Sequence, residues 1–348
     1  MKVFSVRWIL PGLLLISGGW GCSQNKGAKV DHLFRDYQGN RPGAAVMIIK
    51  DGHPLLTKTY GMANLEKKIP VSPAANFRLA SVTKQFTAMS ILMLVERGRL
   101  RLSTTLGELF PDFPAYGRTI TIDQLLHHTS GLLAYEDIIP DTVKKQVRDR
   151  DVLALMMRQD STYFPSGTAY RYSNTGYAVL AMVIEKVSGL SYADFVRQNI
   201  FEPLGMTQTV AYEKGISTVP DRAFGYTVEG DSIALTDQST YSAVLGDGGI
   251  YSSINDLFKW DQALYGNRLL SFQTQNYAFT PQLEHYGCGW RIDRYKGHRR
   301  IHHTGSTMGF RNVIQRFPDD HFTVIILTNR KAPGVAPLAE KLVDWYLL

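Results

Sequence analysis

Ser81-Val82-Thr83-Lys84 opens a long apolar-periodic stretch, and its reading decides the fold and the chemistry of the chain. After Lys84 come Phe86, Met89, Leu92, Met93 and Val95, spaced as on the buried face of a helix that stops near Gly98. Serine and lysine three residues apart on a helix are neighbours on one face. The amine can then take the hydroxyl proton when burial or a second cation holds it neutral, which makes Ser81 an acylation site. The preceding Asn76-Phe77-Arg78-Leu79-Ala80 reads as a short connection that delivers the serine to the first turn, where amides without intrahelical partners can hold an oxyanion. The same spacing recurs at Ser23-Gln24-Asn25-Lys26, but with no apolar run behind it to build a helix. Taken alone, the pattern equally fits an ordinary helix start with a surface lysine, so its surroundings must decide.

Working outward, residues 44 to 60 read as a hairpin: Ala44 to Lys50, the turn Asp51-Gly52-His53-Pro54, then Leu55 to Tyr60. The other end of the chain supplies short β-type runs at Trp290 to Tyr295, Arg299 to Thr304, Phe310 to Phe317 and Phe322 to Leu327, followed by a helix from about Val335 to Tyr346. Between them the pattern turns helical. Thr121-Ile122-Asp123-Gln124 is a capping box, Tyr177 to Val187 is an apolar helix stopped at Ser188-Gly189, and Ser253 begins a third helix that runs to Gly266. These features predict an α+β fold: one antiparallel sheet built from N- and C-terminal strands, flanked by helices, with a mainly helical insertion. A cleft between the two parts is the natural site.

Two further constellations carry chemistry. Tyr172-Ser173-Asn174 stands between the turn Pro165-Ser166-Gly167 and a helix start. A tyrosine beside a lysine can accept and return a proton, and an asparagine amide offers a donor and an acceptor to a substrate. The bland reading is a half-buried aromatic with Asn174 in a turn. Tyr265-Gly266-Asn267 has the same spacing, and there helix capping explains it. His303-Thr304-Gly305-Ser306 ends a β-type run, where a glycine lets a substrate lie against the strand and a following amide can face the cleft.

Composition bounds the rest. The 348 residues are 44% hydrophobic and 20% charged, ordinary for a soluble globular chain of one or two domains. The formal charge of +7 includes Lys2 and Arg7 and is spread without a long basic block, so nucleic acid is not an expected partner. Those two cations precede an apolar stretch around Trp8-Ile9-Leu10 and Leu13-Leu14-Leu15-Ile16, the layout of an export signal over residues 1–21. Cys22 stands where a bacterial lipoprotein signal places its lipidated cysteine, and residues 22–29 read as a polar tether ahead of a domain spanning 30–348. Membrane attachment through Cys22 and a periplasmic or cell-envelope location are the expectations, with simple cleavage or an uncleaved anchor as alternatives. Cys288, in the strand-like run Tyr286 to Trp290, is then an unpaired thiol with no base motif beside it. His127-His128 and His302-His303 are adjacent pairs that project in different directions without accompanying Cys, Asp or Glu at ligand spacing. No metal and no organic cofactor is expected, and His128 is read as ordering the loop Thr129-Ser130-Gly131.

Taken in order, a Ser-x-x-Lys helix, a Tyr-x-Asn about ninety residues on and a strand ending in basic residue-Thr-Gly resemble the serine β-lactamase and penicillin-binding-protein superfamily. The likeness is to the class C β-lactamase-like branch, with its esterases, D-aminopeptidases and D,D-peptidases. It covers roughly residues 30 to 348 and includes Phe77 to Ser81, Leu126-His127-His128-Thr129-Ser130-Gly131-Leu132 and Gly246-Asp247-Gly248-Gly249. The resemblance implies Ser81 as nucleophile, Lys84 as its base and Tyr172 as proton shuttle. It implies Asn174, His303, Thr304, Gly305 and Ser306 as substrate-binding residues, and the amides of Ser81 and Ser306 as an oxyanion hole contributing about 3–4 kcal/mol per donor. One position departs from the pattern. Where β-lactamases of this branch usually carry lysine before Thr-Gly, the chain has His303, mostly neutral at pH 7, which weakens the hold on a substrate carboxylate; Arg311 is the nearby candidate to compensate. The expected activity is hydrolysis of esters or D-amino-acid-type amides, with β-lactams as slow substrates or inhibitors. The alternatives are a D,D-carboxypeptidase or β-lactamase acting at the cell wall, and a non-catalytic protein that binds peptidoglycan fragments or acts as a sensor. The substrate is a small molecule or a peptide, and the sequence leaves the oligomeric state open.

Overall fold

The computed structural model describes residue 1, residues 20–140 and residues 142–348. The export signal expected over 1–21 falls almost wholly outside these residues, as does the side chain of Cys22. The first helix, α1 (Trp20–Leu33), runs through the segment expected as a tether. Strands β1 (Ala44–Lys50) and β2 (His53–Tyr60) form the first hairpin. Then come β3 (Phe77–Arg78), α2 (Lys84–Glu96), α3 (Ile122–Leu126), α4 (Asp149–Met156), α5 (Asn174–Ser188) and β4 (Val210–Ala211). They are followed by α6 (Leu245–Gly248), β5 (Ile250–Ser252) and α7 (Ile254–Ala263). The chain ends in β6 (Arg291–Tyr295), β7 (His298–Thr307), β8 (Phe310–Phe317), β9 (Phe322–Thr328) and α8 (Ala336–Tyr346).

Six strands make the main antiparallel sheet in the order β6-β7-β8-β9-β1-β2, so that β1 pairs with β9 from Ala44↔Thr328 to Lys50↔Phe322. The α+β class and the joining of N- and C-terminal strands are as expected. Along β1, Ala45, Met47 and Ile49 enter the larger core with α2, while Ala44, Val46 and Ile48 face a second core built with Val30 of α1, Phe34 just after it, and Leu342 and Val343 of α8. Both faces are covered, which is why the segment reads as an unbroken apolar run rather than an alternating one. Among the described residues no helix is long and apolar enough to cross a membrane.

Several boundaries differ from expectation for physical reasons. Pro54 sits inside β2 rather than in the turn: β2 is an edge strand, where a missing N–H is tolerated, and the register shifts beside it, between Ile48 and Ile49. The run Tyr286 to Trp290 is not a strand. It has one bridge, Tyr286 to Arg291, and then bends at Gly289, whose φ of +79° brings its backbone against Lys84. Strand β7 continues to Thr307, so His303 to Ser306 lie within it rather than at its end. Ser253 caps α7 as expected, its hydroxyl accepting from Asp256 N at 3.2 Å, but the helix stops at Ala263.

Candidate active site

Ser81 sits not on an α-helical turn but in the 3-10 turn Ala80–Thr83 that leads into α2. The tighter winding brings residues i and i+3 into line, which suits the Ser81–Lys84 pair. The turn is wedged between the sheet and the helical part. Leu79 N donates to Ile250 O at 2.8 Å, and a Cβ on Gly305 would stand 2.0 Å from Leu79 O. The room at Gly305 is therefore taken by the Leu79 connection that leads to Ser81. Ala80 carries φ of +50°, a left-handed conformation that costs a non-glycine residue about 1–3 kcal/mol and turns Ser81 outward.

Lys84 is fully buried, and its Nζ has three partners: Ser81 Oγ at 3.3 Å, Asn174 Oδ1 at 2.7 Å and the carbonyl of Asp247 at 2.9 Å. Asn174, the first residue of α5, is oriented from both ends, since its Nδ2 donates to Glu136 Oε1 at 2.6 Å. The Tyr172 ring lies beside the amine, 5.0 Å from centroid to Nζ, and its buried hydroxyl has no hydrogen-bond partner among the described residues. The phenol thus reaches Lys84 through its ring face and forms no hydrogen bond to Ser81. His128 packs on Tyr172 with ring centroids 4.3 Å apart, and its Nδ1 accepts from Ser173 N at 3.1 Å. His128 therefore orders the 171–173 segment rather than the loop after it.

His303 is 2% exposed and stands behind Tyr172. Its Nδ1 is 2.7 Å from Thr304 O and its Nε2 is 3.1 Å from Tyr286 OH. Burial, reinforced by the charge of Lys84, lowers its pKa to about 3, so the ring is neutral. Arg311 does not compensate: its Nη1 donates to Thr307 O and Phe310 O on the β7–β8 turn. Thr304 and Ser306 are exposed on the opposite face of β7 from His303. Ser306 joins Ser81, Arg78, Tyr135, Glu136 and Asn174 in lining a cavity of about 270 Å³. A larger cavity of about 440 Å³, lined by Lys145, Arg148 and Glu213, does not contain Ser81.

The beta-lactamase family model matches residues 30–345. The chain belongs to the beta-lactamase family. Among relatives of this family member, penicillin-binding protein 4* of Bacillus subtilis (strain 168) is 34% identical over 334 residues, 88% of this chain and 73% of that protein. The putative penicillin-binding protein PbpX of the same strain is 32% identical over 288 residues, 81% of this chain and 68% of the other. The octameric penicillin-binding protein homologue from Pyrococcus abyssi superposes with a TM-score of 0.80 at 26% identity, covering 93% of this chain and 76% of that one. The D-amino acid amidase from Ochrobactrum anthropi SV3 shares the fold, with a TM-score of 0.78 at 24% identity over 93% and 97% of the two chains. Family and neighbours make the chain a hydrolase of the β-lactamase and penicillin-binding-protein superfamily.

In this beta-lactamase-family hydrolase the segment Gly246-Asp247-Gly248 forms part of the site, a role its sequence did not reveal. A Cβ on Gly246 would meet Tyr177 O at 2.4 Å, so only glycine lets α6 lie on α5. The carboxylate of Asp149, at the start of α4, accepts from Leu245 N at 2.8 Å and Gly246 N at 2.9 Å and so fixes the turn that offers Asp247 O to Lys84. Burial pushes Asp149 up to about 7 against those two amides, and burial pushes Asp247 up to about 6 against the charge of Lys84. An acid with a raised folded pKa stabilises the protein below its ordinary pKa, and that contribution is lost as pH rises through the folded value. Thermal unfolding midpoints are therefore expected to fall between pH 5 and pH 8, and to fall less steeply in Asp149→Asn, which cannot ionise. Equal slopes in the two proteins would refute this.

Cys288 is buried and has beside it a histidine that its sequence neighbours do not show. Its Sγ is 3.6 Å from His127 Nε2, while His127 Nδ1 lies 2.9 Å from the Asp123 carboxylate. Burial alone would lower His127, but Asp123 and Cys288 together raise it to about 10. Among the described residues no group of three or more His, Cys, Asp or Glu could hold a metal ion.

Proposed function

We propose that this chain is a serine hydrolase that forms a covalent acyl-enzyme at Ser81 on esters and D-amino-acid-type amides. The observation that carries the reading is the fully buried amine of Lys84, 3.3 Å from Ser81 Oγ and held in place by Asn174 and Asp247. In its neutral form that amine takes the serine proton as Oγ attacks the carbonyl carbon. The tetrahedral oxygen is received by the amides of Ser81 and Ser306, which border the same cavity. Collapse expels the leaving group with a proton relayed from Lys84 by Tyr172, whose hydroxyl has no competing partner. Water activated by the same groups then releases the acid.

Glu136 supports the choice of substrate. It borders the cavity and accepts from Asn174 Nδ2. A free ammonium next to the scissile carbonyl would neutralise it, whereas an N-acylated substrate would leave it uncompensated. The neutral His303 supplies no fixed positive charge for a lactam carboxylate. The penicillin-binding names of the Bacillus relatives support capture of β-lactams as inhibitors or slow substrates. A panel of wild-type rates tests the reading. A p-nitrophenyl ester is expected to turn over fastest and nitrocefin slowest, with D-alanine p-nitroanilide about tenfold or more above its N-acetyl counterpart. Efficient nitrocefin turnover would overturn it.

A further inference from the structure

We propose that the cavity of about 440 Å³ away from Ser81 is a second ligand site, which takes a small polyvalent oxyanion of phosphate or polycarboxylate type and slows the reaction from there. The binding half is independent of the reading of Ser81 as nucleophile, and the kinetic half rests on it. Five basic side chains line this cavity: Lys144, Lys145, Arg148 and Arg150, from the loop before α4 and its first turn, and Lys214, just after β4. The charged groups of Lys145, Arg150 and Lys214 have no hydrogen bond or ion pair with any described residue. The acids in the wall are already engaged. Asp149 holds the amides of Leu245 and Gly246, Glu185 Oε1 accepts from Tyr192 N at 2.9 Å, and Arg148 is the counter-charge of Glu213. Three positive charges are therefore left uncompensated around one concave surface, where low-dielectric walls concentrate their field. A monovalent anion balances one of them, whereas an oxyanion with two or more charges meets several together, with ammonium groups and an arginine fork as donors. The volume is that of a small-molecule site.

The wall between this cavity and the one at Ser81 is α6. No residue lines both, yet Leu245 faces the first, and Asp247 and Gly248 face the second. Asp149 lies on the basic side of that wall and fixes it through Leu245 N at 2.8 Å and Gly246 N at 2.9 Å. The carbonyl of the next residue, Asp247, receives Lys84 Nζ. An ionised carboxylate accepts from amides about twice as strongly as a neutral acid. Negative charge brought into the cavity disfavours the ionised form of Asp149 and so loosens the turn that orients Lys84. Occupancy is expected to lower kcat for an ester and leave KM unchanged, because the anion does not enter the cavity at Ser81.

Calorimetric titration of the full chain with inorganic pyrophosphate and with citrate, at one ionic strength set by sodium chloride, measures binding without reference to activity. Either anion is expected to bind one-to-one and about tenfold or more tighter than acetate, and the tighter of the two tells phosphate from polycarboxylate chemistry. The triple variant Lys145→Gln/Arg150→Gln/Lys214→Gln changes only exposed side chains, so it is expected to fold and to keep wild-type turnover without added anion. Its affinity should fall about tenfold or more. No saturable binding, an affinity equal to that of acetate, or an unchanged affinity in the triple variant overturns the site. If the triple variant does not fold, Lys145→Gln and Lys214→Gln measured singly decide, and two unchanged affinities overturn it. With a p-nitrophenyl ester, saturating pyrophosphate is expected to lower wild-type kcat about threefold or more and to leave the triple variant unaffected. Competitive kinetics would place the anion at Ser81 and overturn the proposal, and binding without a change in kcat overturns its kinetic half. A wild-type protein that binds pyrophosphate but hydrolyses no ester and takes no label at Ser81 is a different failure, which removes the catalytic reading and leaves the anion site standing.

Discussion

Ser81→Ala is expected to lower kcat/KM for an activated ester by about 10⁴-fold or more, on the scale of nucleophile deletions in other covalent hydrolases. The same change should abolish the mass increment left by a fluorophosphonate or a labelled penicillin. The prediction separates chemistry from folding. The Ser81 side chain is half-buried and its hydroxyl has one hydrogen-bond partner among the described residues, Lys84, so the substitution costs about 1 kcal/mol of stability and opens little space. A variant that is folded, unlabelled and inactive places the acyl group at Ser81. Retained turnover in the alanine variant would remove the acyl-enzyme reading.

Lys84→Met carries the second large effect, a fall in kcat of about 10³-fold, within the range that a positioned general base contributes. Methionine keeps the length and apolar stem of the side chain while removing the proton acceptor. Two acceptors, Asn174 Oδ1 and Asp247 O, lose their donor, at about 1–3 kcal/mol each if nothing replaces it, and relief from burying a polar amine offsets part of that. Activity should therefore fall far more than the folded fraction. Lys84→Arg sharpens the result, since a guanidinium keeps a cation at the position and cannot act as a base at ordinary pH. Loss of labelling rate in both variants supports proton transfer by Lys84. Near-normal activity in the arginine variant would reduce Lys84 to an electrostatic or structural role.

What the sequence made legible follows from what is local. Serine and lysine three residues apart are neighbours whether the turn is α or 3-10, so their pairing survived an error about the turn itself. Apolar runs with turn residues between them marked the sheet strands, though not that Pro54 would be tolerated on an edge. Contacts made by distant returns of the chain left no such trace. The carbonyl of Asp247 reaches Lys84 from 163 residues away, and His127 meets Cys288 across 161. Glu136 stands in a helical turn with an ordinary acidic start, and nothing around it distinguishes a surface carboxylate from one turned onto Asn174. Arg78, a single cation inside the apolar stretch Phe77 to Ala80, likewise gave no sign of the carbonyls of Ser242 and Gly248 that hold it. His303 misled in the opposite direction, because a position read as facing substrate is on the strand face turned inward.

The pairing of β1 with β9 has a temporal consequence. A chain emerging from the ribosome holds Ser81 and Lys84 long before Phe322–Thr328 exists, yet β1 has its neighbours on both sides only once that late strand docks. Closing so large a loop is slow compared with local helix formation. The Ser81–Lys84 pair is thus synthesised early, whereas the sheet against which its turn is wedged is completed only by the last strand.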